Sequence, residues 1–246
     1  MPHLATADPD DPYELDLGDR RAPVTVRINR RARRFILRVD ALKGGAVVTV
    51  PSKRAIPEGL AFAQSRADWV RRQLDDRPGP RPFTAGSAAP FRGEAHTVVN
   101  EGGARRAVRR ATGDPPSLVV GGAPEHVNRR LVDWMKRQAR EHFMARADAF
   151  AAQLGVRRGP VSIRDGKSRW GSCSATGAPS FSWRLIMAPD WVTDYVAAHE
   201  CAHLIRMDHS PAFWAIVADL GCDAEAARDW FAENGAALHA YGVPAS

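Results

Sequence analysis

Apolar positions in the first part of the chain repeat mostly with period two. Val24, Val26 and Ile28 alternate with Thr25 and Arg27, as a half-buried strand requires. Two further strands are expected at Phe35–Val39 and Ala46–Val50, with Gly44-Gly45 supplying the turn between them. The period then changes. Pro57 suits the first position of a helix, and Leu60, Ala63, Ala67, Val70 and Leu74 recur at three-and-four spacing, which predicts one amphipathic helix. Residues 77–90 read as a loop by their Pro and Gly content. Short strands are expected at Glu94–Val99, Arg105–Arg110 and Ser117–Val120.

From about Glu125 a helical regime takes over. Leu131, Met135, Ala139, Phe143, Ala147, Phe150 and Leu154 form one stripe along a helix of about eight turns. Val161–Arg164 and Phe181–Ile186 read as strands, and helices follow at about Val192–Arg206, Pro211–Leu220 and Asp223–Leu238. The pattern predicts an α+β protein in three parts. These are an acidic disordered tail over 1–20, a β-rich region with one helix over 21–124, and a second domain over 125–246 with long helices and a small antiparallel sheet.

Charge sharpens this division. Residues 1–20 carry a net −5, residues 21–160 a net +16 and residues 161–246 a net −4. A basic first half attracts polyanions, so nucleic acid is a candidate partner through 21–160; scattered Arg on solvated faces is the plainer explanation. No apolar run reaches membrane-spanning length, so no membrane association is expected. The acidic start lacks an apolar core, so no secretory signal is expected either. Three cysteines, Cys173, Cys201 and Cys222, are an odd and sparse set that argues against a disulfide framework and for a reducing, cytoplasmic compartment.

The chemistry concentrates in His199-Glu200-Cys201-Ala202-His203, an H-E-x-x-H inside a segment without Pro or Gly. On a helix, residues four apart share a face, so both imidazoles can converge on one zinc ion. Glu200 lies about 100° round, beside the metal, where a general base takes a proton from zinc-activated water. A catalytic zinc takes three protein ligands. His209 is the leading third candidate, because Ser210-Pro211 signals a new helix and leaves His209 in the turn before it. Glu225 and Glu233 on later helices are alternatives, and Cys173 a weaker one. The His spacing follows the metzincin pattern, but Arg206 stands where that pattern has Gly and no Met-containing turn follows.

Residues 168–214 carry Trp170-Gly171-Ser172-Cys173, Trp183-Arg184-Leu185-Ile186, the H-E-x-x-H, and His209-Ser210-Pro211 followed by Phe213-Trp214. This run resembles the YgjP-like metallopeptidase family, distantly related to SprT-like and WLM zinc proteases. The resemblance is dense over 161–238 and looser over the basic half. Cys201 stands where the family commonly has Leu. The resemblance implies a minimal zincin-like fold with His199, His203 and His209 on one zinc, Glu200 as base, and a peptide or protein substrate.

Other residues have plainer roles beside possible functional ones. Cys201 points off the ligand face and suits the core. Tyr195, Arg184 and Tyr241 are the possible oxyanion donors, and Asp194 or Asp208 could orient a ligand imidazole. Trp170, Trp183, Trp191, Trp214 and Trp230 are expected mainly to pack helices against the sheet. The Phe181–Ile186 strand is expected to offer an edge for an extended substrate. The function read from the sequence is a zinc metallopeptidase. The alternatives are a zinc hydrolase of a non-peptide amide, or a nucleic-acid-associated protein whose zinc is architectural.

Overall fold

The computed structural model describes residues 13–40, 43–76, 79–103, 107–166 and 169–244. The chain divides after Pro80 into two compact units. The first holds strands β1 (Tyr13–Asp16), β2 (Arg21–Ile28), β3 (Ile36–Asp40) and β4 (Gly45–Val50) in the order β1-β2-β4-β3. β2 and β4 are parallel and the other pairs antiparallel. Helices α1 (Ile56–Gln64) and α2 (Ala67–Asp75) complete it.

Two expectations change here. Residues 13–16 are a strand rather than part of a disordered tail, because Leu15 and Leu17 form a period-two pair that buries in the core; residues 1–12 lie outside the described residues. The single helix expected after Pro57 is two. Its break falls at Ser65-Arg66, where the Ser65 hydroxyl donates to the Phe62 carbonyl at 2.8 Å.

The second unit opens with β5 (Ala88–Phe91), β6 (Glu94–Gly102), β7 (Arg109–Ala111) and β8 (Ser117–Gly121), ordered β5-β6-β8-β7 with β6 and β8 parallel. The β5 strand falls in a stretch expected to be loop. Of the strand expected at 105–110, Arg105 and Arg106 lie outside the described residues. The 27-residue helix α3 (Val127–Gln153) follows. A three-stranded sheet comes next, made of β9 (Ser162–Arg164), β10 (Gly171–Cys173) and β11 (Pro179–Ser182). Helices α4 (Asp190–Ala202), α5 (Pro211–Asp219) and α6 (Ala224–Ala240) close the chain. No described helix is long and apolar enough to cross a membrane.

The expected division at 124/125 differs from the one that packing makes. Leu118 and Val120 of β8 share one core with Leu131, Met135 and Phe143 of α3 and with Val192 and Val196 of α4. The three-stranded sheet is also mixed rather than antiparallel. Its order is β10-β11-β9, with β10–β11 antiparallel and β11–β9 parallel. The strand expected over Phe181–Ile186 ends at Ser182, whose hydroxyl accepts the Arg184 N–H and turns the chain into a buried 3-10 turn at Trp183–Met187. β11 is therefore the central strand, and β10 is an edge.

The β5–β6 hairpin tip fixes the start of α4. Arg92 and Gly93 donate their N–H groups to the carbonyls of Ile186 and Met187 at 2.8 and 3.1 Å. The Arg92 guanidinium grips both Asp190 oxygens, at 2.8 and 2.6 Å, which holds that carboxyl below the usual range.

Candidate metal centre

α4 has one face locked to α3 and another turned to the site. On the locked side, the Cys201 thiol faces the Ala147 carbonyl, Asp194 pairs with Arg146 at 2.5 Å, and His142 bonds Thr193 at 2.8 Å. Cys201 is fully buried, and burial pushes its thiol up to about 12. Asp194 is thus committed to Arg146 rather than to an imidazole. The helix ends at Ala202, four residues earlier than expected. His203 nonetheless keeps helical angles (φ −65°, ψ −14°), so it still sits one turn below His199.

The chain then turns through 203–205 and reaches His209 just before α5, with Ser210 at the N-cap and Pro211 as first residue. This return brings His209 over the helix end. One ligand atom from each of His199, His203 and His209 lies within 4.8 Å of the others, and among the described residues this is the cluster with the reach of a metal ion. Glu225, Glu233 and Cys173 are outside it.

The donor set fits a tetrahedral metal by two tests. The Nε2 atoms of His199 and His209 face each other at 3.2 Å. Nitrogens on a tetrahedron with metal–N bonds of about 2.0–2.1 Å stand about 3.3–3.4 Å apart. The His203 Nδ1 lies 2.8 Å from the Arg206 carbonyl, which fixes its tautomer and leaves Nε2 free to coordinate. His199 Nδ1 is buried with no hydrogen-bond partner among the described residues. Burial, followed by the charges of His203, His209 and Arg228, lowers the His199 pKa to about 4, so the ring is held in the neutral form that a metal requires.

Glu200 is 5% exposed and points at the edge strand β10, where Gly171 leaves room for it. Burial pushes its carboxyl up to about 8, opposed by the charge of Arg169.

Two ring residues frame the three imidazoles. Phe213, wholly buried, has its centroid 4.9, 4.6 and 4.8 Å from those of His199, His203 and His209. Trp214 stands 5.7 Å from both His199 and His209. The sequence pattern singled out both residues but gave Phe213 no role. Its position three residues after Ser210, on the first turn of the helix that follows His209, is the available signal.

The other candidates disperse. Arg184 is buried against Asp165 at 2.8 Å and against the Leu238 and Tyr241 carbonyls, while Tyr241 stacks on Phe83 at 5.9 Å. Tyr195 alone of the three oxyanion candidates adjoins the site, with its ring 5.9 Å from His199. Asp208 accepts from the Ser210 hydroxyl at 2.9 Å and does not meet an imidazole. Trp183 is core, Trp170 stacks between Phe231 and His239, and Trp191 is 46% exposed.

Neither curated proteins nor solved structures give a match to the chain. Residues 33–234, most of its length, match the YgjP-like metallopeptidase domain. The chain therefore belongs to the YgjP-like metallopeptidase family.

Proposed function

We propose that the protein is a zinc-dependent peptidase, with one zinc per chain held by His199, His203 and His209 and with Glu200 as general base. The observation that carries this reading is the convergence of three imidazole nitrogens within 4.8 Å beside a buried carboxyl on the same helix turn. A structural zinc site has four protein ligands and needs no free carboxylate, so a three-nitrogen set with an adjacent Glu favours catalysis. Zinc bound there would polarise a scissile carbonyl and bring the pKa of water towards 7.

The residues divide the remaining work. Glu200 takes the proton from the attacking water and then delivers it to the leaving amine, so one carboxyl serves both directions of transfer. The buried Phe213 backs the ligand rings. The edge that an extended peptide can join is β10, next to Glu200, in place of the Phe181–Ile186 segment expected from sequence.

The test is Glu200→Gln. It should retain zinc and fold while turnover of a quenched-fluorescent peptide falls by about two orders of magnitude or more, the usual share of a general base. Near-normal turnover in this variant would remove Glu200 from the mechanism.

A further inference from the structure

Away from the three imidazoles, the second unit has an open groove of about 490 Å³ between α3 and β9. Lys136, Arg137 and Arg140 of α3, with Asp133 of the same helix, line one wall, and Arg164 of β9, with Asp165 next to it, lines the other. Both acids already have cationic partners. Asp165 is held by Arg184 at 2.8 Å, and Asp133 lies 3.8 Å from Arg129. None of the four lining cations forms an ion pair among the described residues; Arg164 makes only a side-chain bond to the Ser180 hydroxyl, at 3.1 Å. The groove thus presents four positive charges against two acids that each have a cationic partner elsewhere, with the charge of Lys136 also acting on Asp165.

We infer that this groove binds the phosphate backbone of single-stranded nucleic acid. Three of the four cations are Arg, whose planar fork matches a phosphate's oxygens better than a point charge does. Placement on facing walls suits a single strand running between them rather than a duplex lying across them. The lining offers no stacking platform for a base, because its one aromatic residue, Trp183, is 1% exposed. Contact is therefore with phosphates and does not read sequence. Arg164 sits on the edge of the three-stranded sheet opposite Gly171, so a strand held here leaves the β10 edge open.

This inference does not depend on metal or turnover, so binding and peptidase activity can fail separately. The experiment is fluorescence anisotropy with labelled oligothymidylate and oligoadenylate of about twelve nucleotides, titrated with the full chain. Engagement of four phosphates predicts a slope of log K against log salt of about −3. The triple variant R137E/R140E/R164E should weaken binding by about tenfold or more at low salt. The same number of reversals in the first unit, R30E/R31E/R33E, should change it by less than about threefold. Thermal melting of both variants checks that they are folded. The proposal is overturned if the groove variant binds like wild type, if the control loses as much, or if wild type does not bind at about 50 mM salt. Equal competition by an acidic peptide, oligoglutamate, would replace nucleic acid with an acidic protein partner and overturn it too.

Discussion

The backbone of Gly171 lies directly against the side chain of Glu200. A Cβ built on Gly171 would stand 2.8 Å from Glu200 Cγ and 2.9 Å from its carboxyl carbon, and closer still to Oε1. Any side chain at 171 must therefore push the carboxyl away from its position beside His199. Gly171→Ala should keep fold and zinc but lose about a hundredfold in turnover, the order expected when a reacting group is displaced by about 1 Å. The check is kcat together with metal content. Wild-type kcat in this variant would show that Glu200 tolerates displacement and that its close fit carries no catalytic weight.

Phe213 is the common neighbour of the His199, His203 and His209 rings, and it is wholly buried. Phe213→Ala should cost about 3–5 kcal/mol through lost burial and a cavity under the site. In thermal denaturation this corresponds to a Tm lower by at least about 6 °C for a unit of this size. Phe213→Leu, which keeps most of the volume, should lose much less. Equal melting of Phe213→Ala and wild type would mean that the rings are positioned by the backbone alone.

The Arg184–Asp165 pair gives a pH signature. Burial raises the Asp165 pKa, but hydrogen bonding to Arg184 and its charge lower it further, and the net direction is down. A carboxyl depressed in the folded state contributes stability above its unfolded pKa of about 3.9, and that contribution fades as pH falls through the folded value. Arg184 is 5% exposed, so Asp165→Asn leaves a buried guanidinium without its counter-charge. Because Asp165 itself is half exposed, the cost at neutral pH should be discounted to about 1–3 kcal/mol from the range for a broken buried pair. Denaturant unfolding of both proteins from pH 7 to below pH 4 tests this. The two curves should converge on acidification, and a gap that stays constant would contradict the assignment.

How much of this was legible in the sequence depends on where each constraint resides. His199 and His203 are a local spacing, and any helix puts them on one face. The position of His209 was also local, since Ser210-Pro211 announces a new helix. The partner of His203 was not legible, because it is a main-chain carbonyl, at Arg206, and carbonyls leave no mark on composition. Gly171 was visible as part of a motif, but its role depends on a long-range approach to Glu200 that no periodicity encodes. Composition misled at the N-terminus, where averaging over acidic residues hid the Leu15 and Leu17 pair. It misled again at Phe181–Ile186, where a continuous apolar run fits a strand and a buried 3-10 turn equally well. The boundary after Pro80 follows from which residues share a core, and that is a property of packing rather than of charge.

Metal content tests the three-imidazole site most directly. Elemental mass spectrometry of the purified full chain should give about one zinc per chain for wild type, and His209→Ala should lose most of it, because two imidazoles on a helix end hold a catalytic zinc poorly without the third. Full zinc retention in His209→Ala, or a wild-type protein purified without chelator that carries no metal, would contradict the three-imidazole site.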